Sequence, residues 1–519
     1  MRYNLGNFHP NHALVTLELM NFVRQFVRIR LQRSFTLQQL GPNEARIIFD
    51  FAVAVAAAAF SILFCLFLAP GFQLGVRAIA VLAALPVVFI FCNAIIGLYG
   101  QYRTSGSRRK TLVLAGGVLL AFVIAVVAGG TWAPMLLWAA LTVPPVVLAR
   151  VLLNLRYTRH YNLRRVSVSH SGPVLIIGGA GYIGSHAVDL LLRNGYRVRV
   201  LDRLMYGRDS LADFAGNDRF ELLEGDASDV SKVTAAMQGA SAVVHLAGLV
   251  GDPACAVDVD FTRHANIVVT RMAKEVAQSL GVHRFVFASS CSVYGVSDQQ
   301  ATEADSVNPV SLYAQTKIDS ERELLAMGRD DFFVTLLRFA TVFGHSRRPR
   351  FDLVVNLFVA QALTDGVITV FGPEQWRPFV HVRDVARSIL LTLKAPTMLV
   401  QDQVFNVGDE RLNAQILQVA EIVRAAVSRH RQVEISVQGA PDDRRNYAVS
   451  FKKIRSLLNF QAETMLEDGV GEIVEQFLQG HYNNYRDEIY SNLATTQKQV
   501  TTFRDPEQLS HIYAPLFIK

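Results

Sequence analysis

Two side chains four positions apart, Tyr313 and Lys317, have the types and spacing of an acid–base pair. On a helix such residues lie one turn apart on the same face. An ammonium held there lowers the pKa of a phenol, which would make Tyr313 a competent base near neutral pH. The spacing alone describes many ordinary surface pairs, and its weight comes from the company it keeps. Ser289-Ser290 closes the apolar run Arg284–Ala288, and far upstream stands the turn Gly178-Gly179-Ala180-Gly181-Tyr182-Ile183-Gly184. That turn follows the short apolar run Val174–Ile177 and precedes an amphipathic stretch, Ser185–Arg193. A second apolar run, Tyr196–Leu201, then ends at Asp202. Strand, glycine turn, helix, strand and acid form the opening βαβ of a dinucleotide fold. The glycines let the backbone turn tightly against a pyrophosphate whose charge rests on the helix N-terminus. Asp202 can accept from the adenosine ribose hydroxyls and would repel a 2′-phosphate, which favours NAD over NADP, while Arg203 beside it pulls the other way.

These groups need a frame. Further apolar runs at Phe220–Glu224, Ala242–Leu246, Arg284–Ala288 and Val334–Leu337 alternate with helical stretches. The pattern predicts an α/β fold with a Rossmann-type doubly wound parallel sheet.

In order along the chain, Gly178–Gly184, Gly225-Asp226, His245–Gly248, Ser289–Gly295, Tyr313–Lys317, Arg338–Gly344 and Arg377–Asp384 resemble the motifs of an extended short-chain dehydrogenase/reductase. The likeness is to its nucleotide-sugar epimerase/dehydratase family and covers residues from about 174 to 460. It implies a smaller C-terminal substrate domain, NAD as cofactor, a nucleotide-sugar substrate and a helix-paired homodimer. Carried over residue by residue, Gly178, Gly181, Tyr182, Ile183 and Gly184 resemble the cofactor turn, Asp202 the ribose acid, and Asp226 with Ala227 and Ala247 the remaining cofactor wall. Tyr313 resembles the catalytic base, Lys317 its activator and ribose ligand, and Ser290 the hydroxyl that hydrogen-bonds the reacting sugar oxygen. Arg377 is similar to an arginine that binds substrate phosphate, Asn356 to a nucleotide ligand, and Arg444 or Arg445 to a second phosphate arginine.

The departures from the family pattern bear on the reaction. Thr341 stands where many members have a phosphate-binding Asn. The 4,6-dehydratases carry an acidic residue just before Val-Tyr-Gly, often with an Asp before it, to remove water across C5 and C6. Here those places hold Cys291 and Ser292. The missing carboxylate points to chemistry that needs Tyr and NAD alone, of which epimerisation at C4 through a 4-keto sugar is the simplest. The alternatives are a 4,6-dehydratase or other sugar oxidoreductase, a hydroxysteroid-type dehydrogenase, and a non-enzymatic membrane scaffold for glycan assembly.

The 519 residues are 51% hydrophobic and 18% charged, too apolar for disorder. The net charge of +7 divides unevenly: residues 1–170 hold 16 Lys/Arg against 3 Asp/Glu, a balance of +13, and the rest carries −6. That division removes the case for a nucleic-acid partner. Four cysteines without a C-x-x-C pair exclude a disulfide scaffold, and no Cys/His cluster has metal-ligand spacing. Apolar stretches at about Phe51–Ala69, Ala78–Leu98, Thr111–Ala128 and Trp132–Ala149 predict four transmembrane helices. Lys/Arg counts of six, one, four, none and five in the successive connections put both ends in the cytoplasm. The expected organisation is a basic leader (1–46), a four-span domain in the lipid bilayer of the inner membrane (47–155), a linker (156–172), the NAD-binding domain (173–480) and a C-terminal tail of no assigned role (481–519). The spans resemble the membrane segment of bacterial polysaccharide-biosynthesis dehydratases, which implies a role in cell-surface polysaccharide synthesis.

Overall fold

The computed structural model describes residues 42–63, 76–95, 136–142, 144–146, 148 and 172–503, the last with breaks at 298, 327–330, 440–444 and 483. The chain divides into two units, residues 1–160 and 161–519.

In the first unit, helices Pro42–Leu63 and Val76–Ile95 bury Ala54, Ala57, Ala58, Leu82, Leu85 and Phe89 together with Trp138 and Val146. The Trp138 indole N–H donates to the Ala54 carbonyl at 3.1 Å. Phe51, Phe60, Leu63, Val87, Leu136 and Leu148 stay exposed. Among the described residues no helix is long and apolar enough to cross a membrane. The leader up to residue 41 and the expected span Thr111–Ala128 lie outside the described residues, and Trp132–Ala149 is described in part.

The second unit is built on strands β1 (Val174–Ile177), β2 (Val198–Asp202), β3 (Phe220–Glu224), β4 (Ala242–His245), β5 (Arg284–Ser290), β6 (Phe333–Phe339), β7 (Thr341–Phe343), β8 (Val367–Phe371), β9 (Trp376–His381), β10 (Gln403–Val407), β11 (Asn413–Gln415) and β12 (Glu434–Gln438). Seven of them form one sheet in the order β10-β6-β5-β4-β1-β2-β3, and every pairing in it is parallel. A strand covered on both faces must be apolar throughout, and all four residues of β1 are buried. Its alternate side chains enter opposite cores: Val174 and Ile176 pack with helices Gly184–Arg193 and Val382–Lys394, Leu175 and Ile177 with Val230–Met237 and Val269–Ser279. Chain order reverses between β1 and β4, so a crevice opens beyond the carboxyl ends of these strands.

The smaller part joins β11-β9-β7 and β12-β8 to helices Val354–Thr364, Ile416–Val427 and Leu466–Leu478 around a separate core that includes Phe343, Val370 and Phe379. Strands β5 and β6 run further than the sequence pattern suggests, to Ser290 and Phe339. The stretch expected to be a tail is folded: Tyr482 and Tyr485 close on Phe351, and a helix follows over Asn492–Phe503.

Candidate active site

A cavity of about 800 Å³ occupies the crevice. Its floor is the glycine turn. Gly178 has φ +88°, and a Cβ there would lie 2.7 Å from the Ala247 nitrogen. A Cβ on Gly184 would lie 2.4 Å from the Gly178 carbonyl oxygen. A side chain at either position would collide with the chain's own backbone, so glycine is what lets the turn fold this tightly. Helix Gly184–Arg193 begins without a side-chain cap, and although the Ser185 N–H is taken by the Gly181 carbonyl at 3.1 Å, the helix's positive dipole end is left for an anion. Asp202, at the end of β2, accepts from the N–H of Ala180 at 2.9 Å and of Leu204 at 2.8 Å. Burial pushes its carboxyl above the usual range, and those two donors oppose the shift. Arg203 pairs with Asp226 at 3.2 Å, which draws the guanidinium toward the acid at the end of the neighbouring strand. Gly181, Tyr182, Ile183, Ala227 and Ala247 also line this wall. A cradle that excludes Cβ atoms, an uncapped helix start and a strand-terminal carboxylate fit a dinucleotide.

Helix Leu312–Leu325 brings Tyr313 to the cavity. Its N-cap is Ser311, whose hydroxyl accepts from the Ala314 N–H. The Ser290 hydroxyl, which accepts from the Ser292 N–H at 3.1 Å, lies near enough to the Tyr313 phenol to favour its ionised form. Lys317 stands behind them rather than on the wall: its Nζ donates to the Ala288 carbonyl at 2.8 Å and lies 5.8 Å from the centre of the Tyr313 ring. The expected lowering of the phenol is not what this arrangement produces. Burial dominates and pushes Tyr313 up, helped by Cys255 and opposed by Ser290, while the same burial brings Lys317 down to about 8. In the NAD-free chain desolvation disfavours both charged forms.

The stretch before Val-Tyr-Gly separates into two roles. Cys291 is fully buried and turned into the core, its Sγ 3.2 Å from the Arg338 carbonyl. Ser292 lines the cavity, and its buried hydroxyl has no hydrogen-bond partner. Behind β5, Glu321 accepts two hydrogen bonds from Arg338, at 2.9 and 2.6 Å, and one from the Ser289 hydroxyl at 2.5 Å. This buried network fixes the Tyr–Lys helix against β5 and β6.

On the substrate side Arg377 lines the cavity, with its guanidinium also donating to the carbonyl of Trp376 at 3.0 Å and to Gln375 at 3.1 Å. Asn356 does not line it. It is 2% exposed, accepts from the Gly344 N–H at 3.0 Å and donates to the Arg350 carbonyl at 2.9 Å. It is a bracket for the loop after β7, because its amide is already satisfied there. Arg444 lies outside the described residues, whereas Arg445 lines the cavity and pairs with Asp252 at 3.1 Å.

Sequence reasoning missed several groups. Asn266 sits in a π-helical turn, His264–Val268. Its amide accepts from the Leu249 N–H at 2.7 Å and donates to the Thr316 hydroxyl at 3.0 Å. It thereby ties the loop after β4 to the Tyr–Lys helix. Arg348, Arg350 and Asp352, and Asn492 from the C-terminal helix, also reach the cavity. Their positions depend on loops that no short-range pattern marks.

A glycine cradle, a ribose-side acid and a Ser–Tyr pair in one crevice of a doubly wound sheet define a dinucleotide-dependent site. A profile of the NAD dependent epimerase/dehydratase family matches residues 174–408. UDP-glucose 4-epimerase of Lactobacillus helveticus is 30% identical, over 48% of this chain and 81% of its own length. The structure of MoeE5 in complex with UDP-glucuronic acid and NAD aligns at TM-score 0.51 and 29% identity, over 60% of this chain and all of that one. DesIV, a dTDP-glucose 4,6-dehydratase from Streptomyces venezuelae with NAD bound, aligns at 0.55 and 25% identity, over 60% and 99%. The chain belongs to the NAD dependent epimerase/dehydratase family, and NAD is its cofactor.

Proposed function

We propose that this protein is an NAD-dependent nucleotide-sugar epimerase acting at C4 of a UDP- or dTDP-hexose. The observation that carries the reading is Ser292 in the cavity where a dehydratase would need an acid, with Cys291 facing the core. The carboxylates on the wall have other work: Asp202 and Asp226 lie on the cofactor side, Asp252 pairs with Arg445, and Asp352 pairs with Arg350 at 2.8 Å.

NAD, when bound, supplies a hydride acceptor that can give back what it takes. The chain's own part is to move one proton. Tyr313 enters as the phenolate, takes the proton of the C4 hydroxyl and later returns it, Ser290 hydrogen-bonds the same oxygen, and the Lys317 ammonium offsets the phenolate's charge against the cost of its burial. Arg377 and Arg445 suit a diphosphate better than an apolar sterol. The family likeness to both an epimerase and a dehydratase makes the product the test. Purified protein given UDP- or dTDP-hexoses should yield the C4 epimer without added cofactor, and a 4-keto-6-deoxy product would overturn the reading.

The exposed apolar side chains of the first unit and its basic flanks support anchoring at the cytoplasmic face of a membrane, where the product would feed cell-surface polysaccharide synthesis. Recovery of the full chain from the membrane fraction in detergent tests the anchor.

A further inference from the structure

The C-terminal helix Asn492–Phe503 lies beyond the family match at 174–408, yet it forms part of the cavity wall through Asn492, Thr496 and Gln499. Asn492 is 4% exposed and gathers three loops at one point. Its side-chain oxygen accepts from Arg348 Nη2 at 2.8 Å and from the Tyr206 hydroxyl at 3.0 Å, and its Nδ2 donates to the Val250 carbonyl at 3.2 Å. Tyr206 follows β2, Val250 follows β4 and Arg348 follows β7, so these loops come from the cofactor side and the substrate side alike. Val500 packs with Leu249, Ala254, Cys255 and Phe261, the cluster against which Tyr313 also rests.

Arg348 is the unusual member. It is 5% exposed on the cavity wall, and its guanidinium lies 3.5 Å from the centre of the Tyr206 ring. Its Nε has no hydrogen-bond partner. Among the described residues no carboxylate is paired with it, and burial brings it down to about 10. Asp352, already paired with Arg350, opposes that shift only from a distance, and a buried guanidinium without a paired carboxylate is costly unless an anion arrives.

We infer that Asn492 is a positioning residue which, from the C-terminal helix, holds Arg348 as a cation for a diphosphate group in the cavity. The inference rests on the reading of the site as NAD- and nucleotide-sugar-binding, since both ligands carry that group. Asn492 fixes the fork by taking one of its N–H groups, and the Tyr206 ring fixes its plane. The remaining nitrogens are left for phosphate oxygens.

The test compares full-length wild type, Asn492→Leu, Asn492→Asp and Arg348→Gln in two assays. One measures NAD retained through desalting, and the other UDP and dTDP affinity by calorimetry. Asn492→Leu and Arg348→Gln should weaken one of the two ligands by roughly 10- to 100-fold, the loss of a hydrogen bond to a charged group. Asn492→Asp puts a carboxylate within reach of Arg348 and removes the donor to the Val250 carbonyl, so it should weaken the same ligand at least as much as Asn492→Leu. Loss of NAD retention assigns the dinucleotide's diphosphate, and loss of UDP or dTDP affinity assigns the nucleotide sugar's. If Asn492→Leu does not fold, Arg348→Gln gives the same readout. Unchanged binding of both ligands in Arg348→Gln, or in Asn492→Asp, would overturn the inference. A wild-type protein that neither retains nor takes up NAD would instead overturn the reading of the site.

Discussion

The two walls of the cavity are made of different materials. The cofactor wall comes from β1, β2 and β4 and the turns that leave them, and most of what it offers is backbone: glycines that permit close approach and an uncapped helix start. The substrate wall comes from segments scattered between Arg338 and Arg445, and what it offers is side chains. Backbone geometry is dictated locally, by which residues lack a Cβ. Side-chain availability is settled by competition, because a polar group near the cavity can be captured by a closer partner first. Asn356 was captured by Gly344 and Arg350 away from the cavity, whereas Arg377 and Arg445 line the ligand space even though each also has protein partners.

The comparison breaks most visibly at Tyr313, where the walls meet. Tyr313→Phe removes the proton acceptor and touches neither wall, so turnover should fall about a thousandfold with NAD content unchanged. Loss of NAD along with activity would mean that the tyrosine belongs to the cofactor wall.

Lys317 sharpens the contrast through pH. Burial holds its ammonium at about 8 in place of the ordinary 10.5. Between those values the unfolded chain binds a proton that the folded chain lacks, so stability rises with pH across the window. Below it the cost of burying the charge is fully present. Lys317→Met should therefore stabilise the NAD-free protein by up to about 3 kcal/mol at pH 7. The gain should fade as pH approaches 10.5, followed by denaturant melts against wild type. A gain independent of pH would show that the charge is not what burial penalises.

On the substrate wall, Arg377→Ala should raise KM for the nucleotide sugar roughly 10- to 100-fold with kcat little changed, as expected for lost phosphate contacts. Asn356→Ala should do the reverse, lowering unfolding free energy by about 1–3 kcal/mol through orphaned loop groups while KM moves little. Steady-state kinetics and melts on the two variants decide between them. If Asn356→Ala raises KM as much as Arg377→Ala, the loop bracket is also a ligand.

Legibility followed the same division. The glycine turn, Asp202, and the Tyr313–Lys317 spacing were readable because each acts over a few residues, within one strand, turn or helix. The protonation of that pair was misjudged, since burial is a property of everything packed around it. Asn266, Arg348 and Asn492 carried no signal, because each matters through a contact with residues distant in the chain.

The sequence by itself determined the parallel sheet, the position of the crevice and the cofactor class, through apolar runs and glycines whose effects are short in range. Tertiary structure alone decided that Cys291 faces inward while Ser292 faces the cavity, that Asn356 braces a loop, and that the C-terminal helix returns to the site. Those outcomes depend on which groups are brought within hydrogen-bond reach and cut off from water, and folding settles both at once.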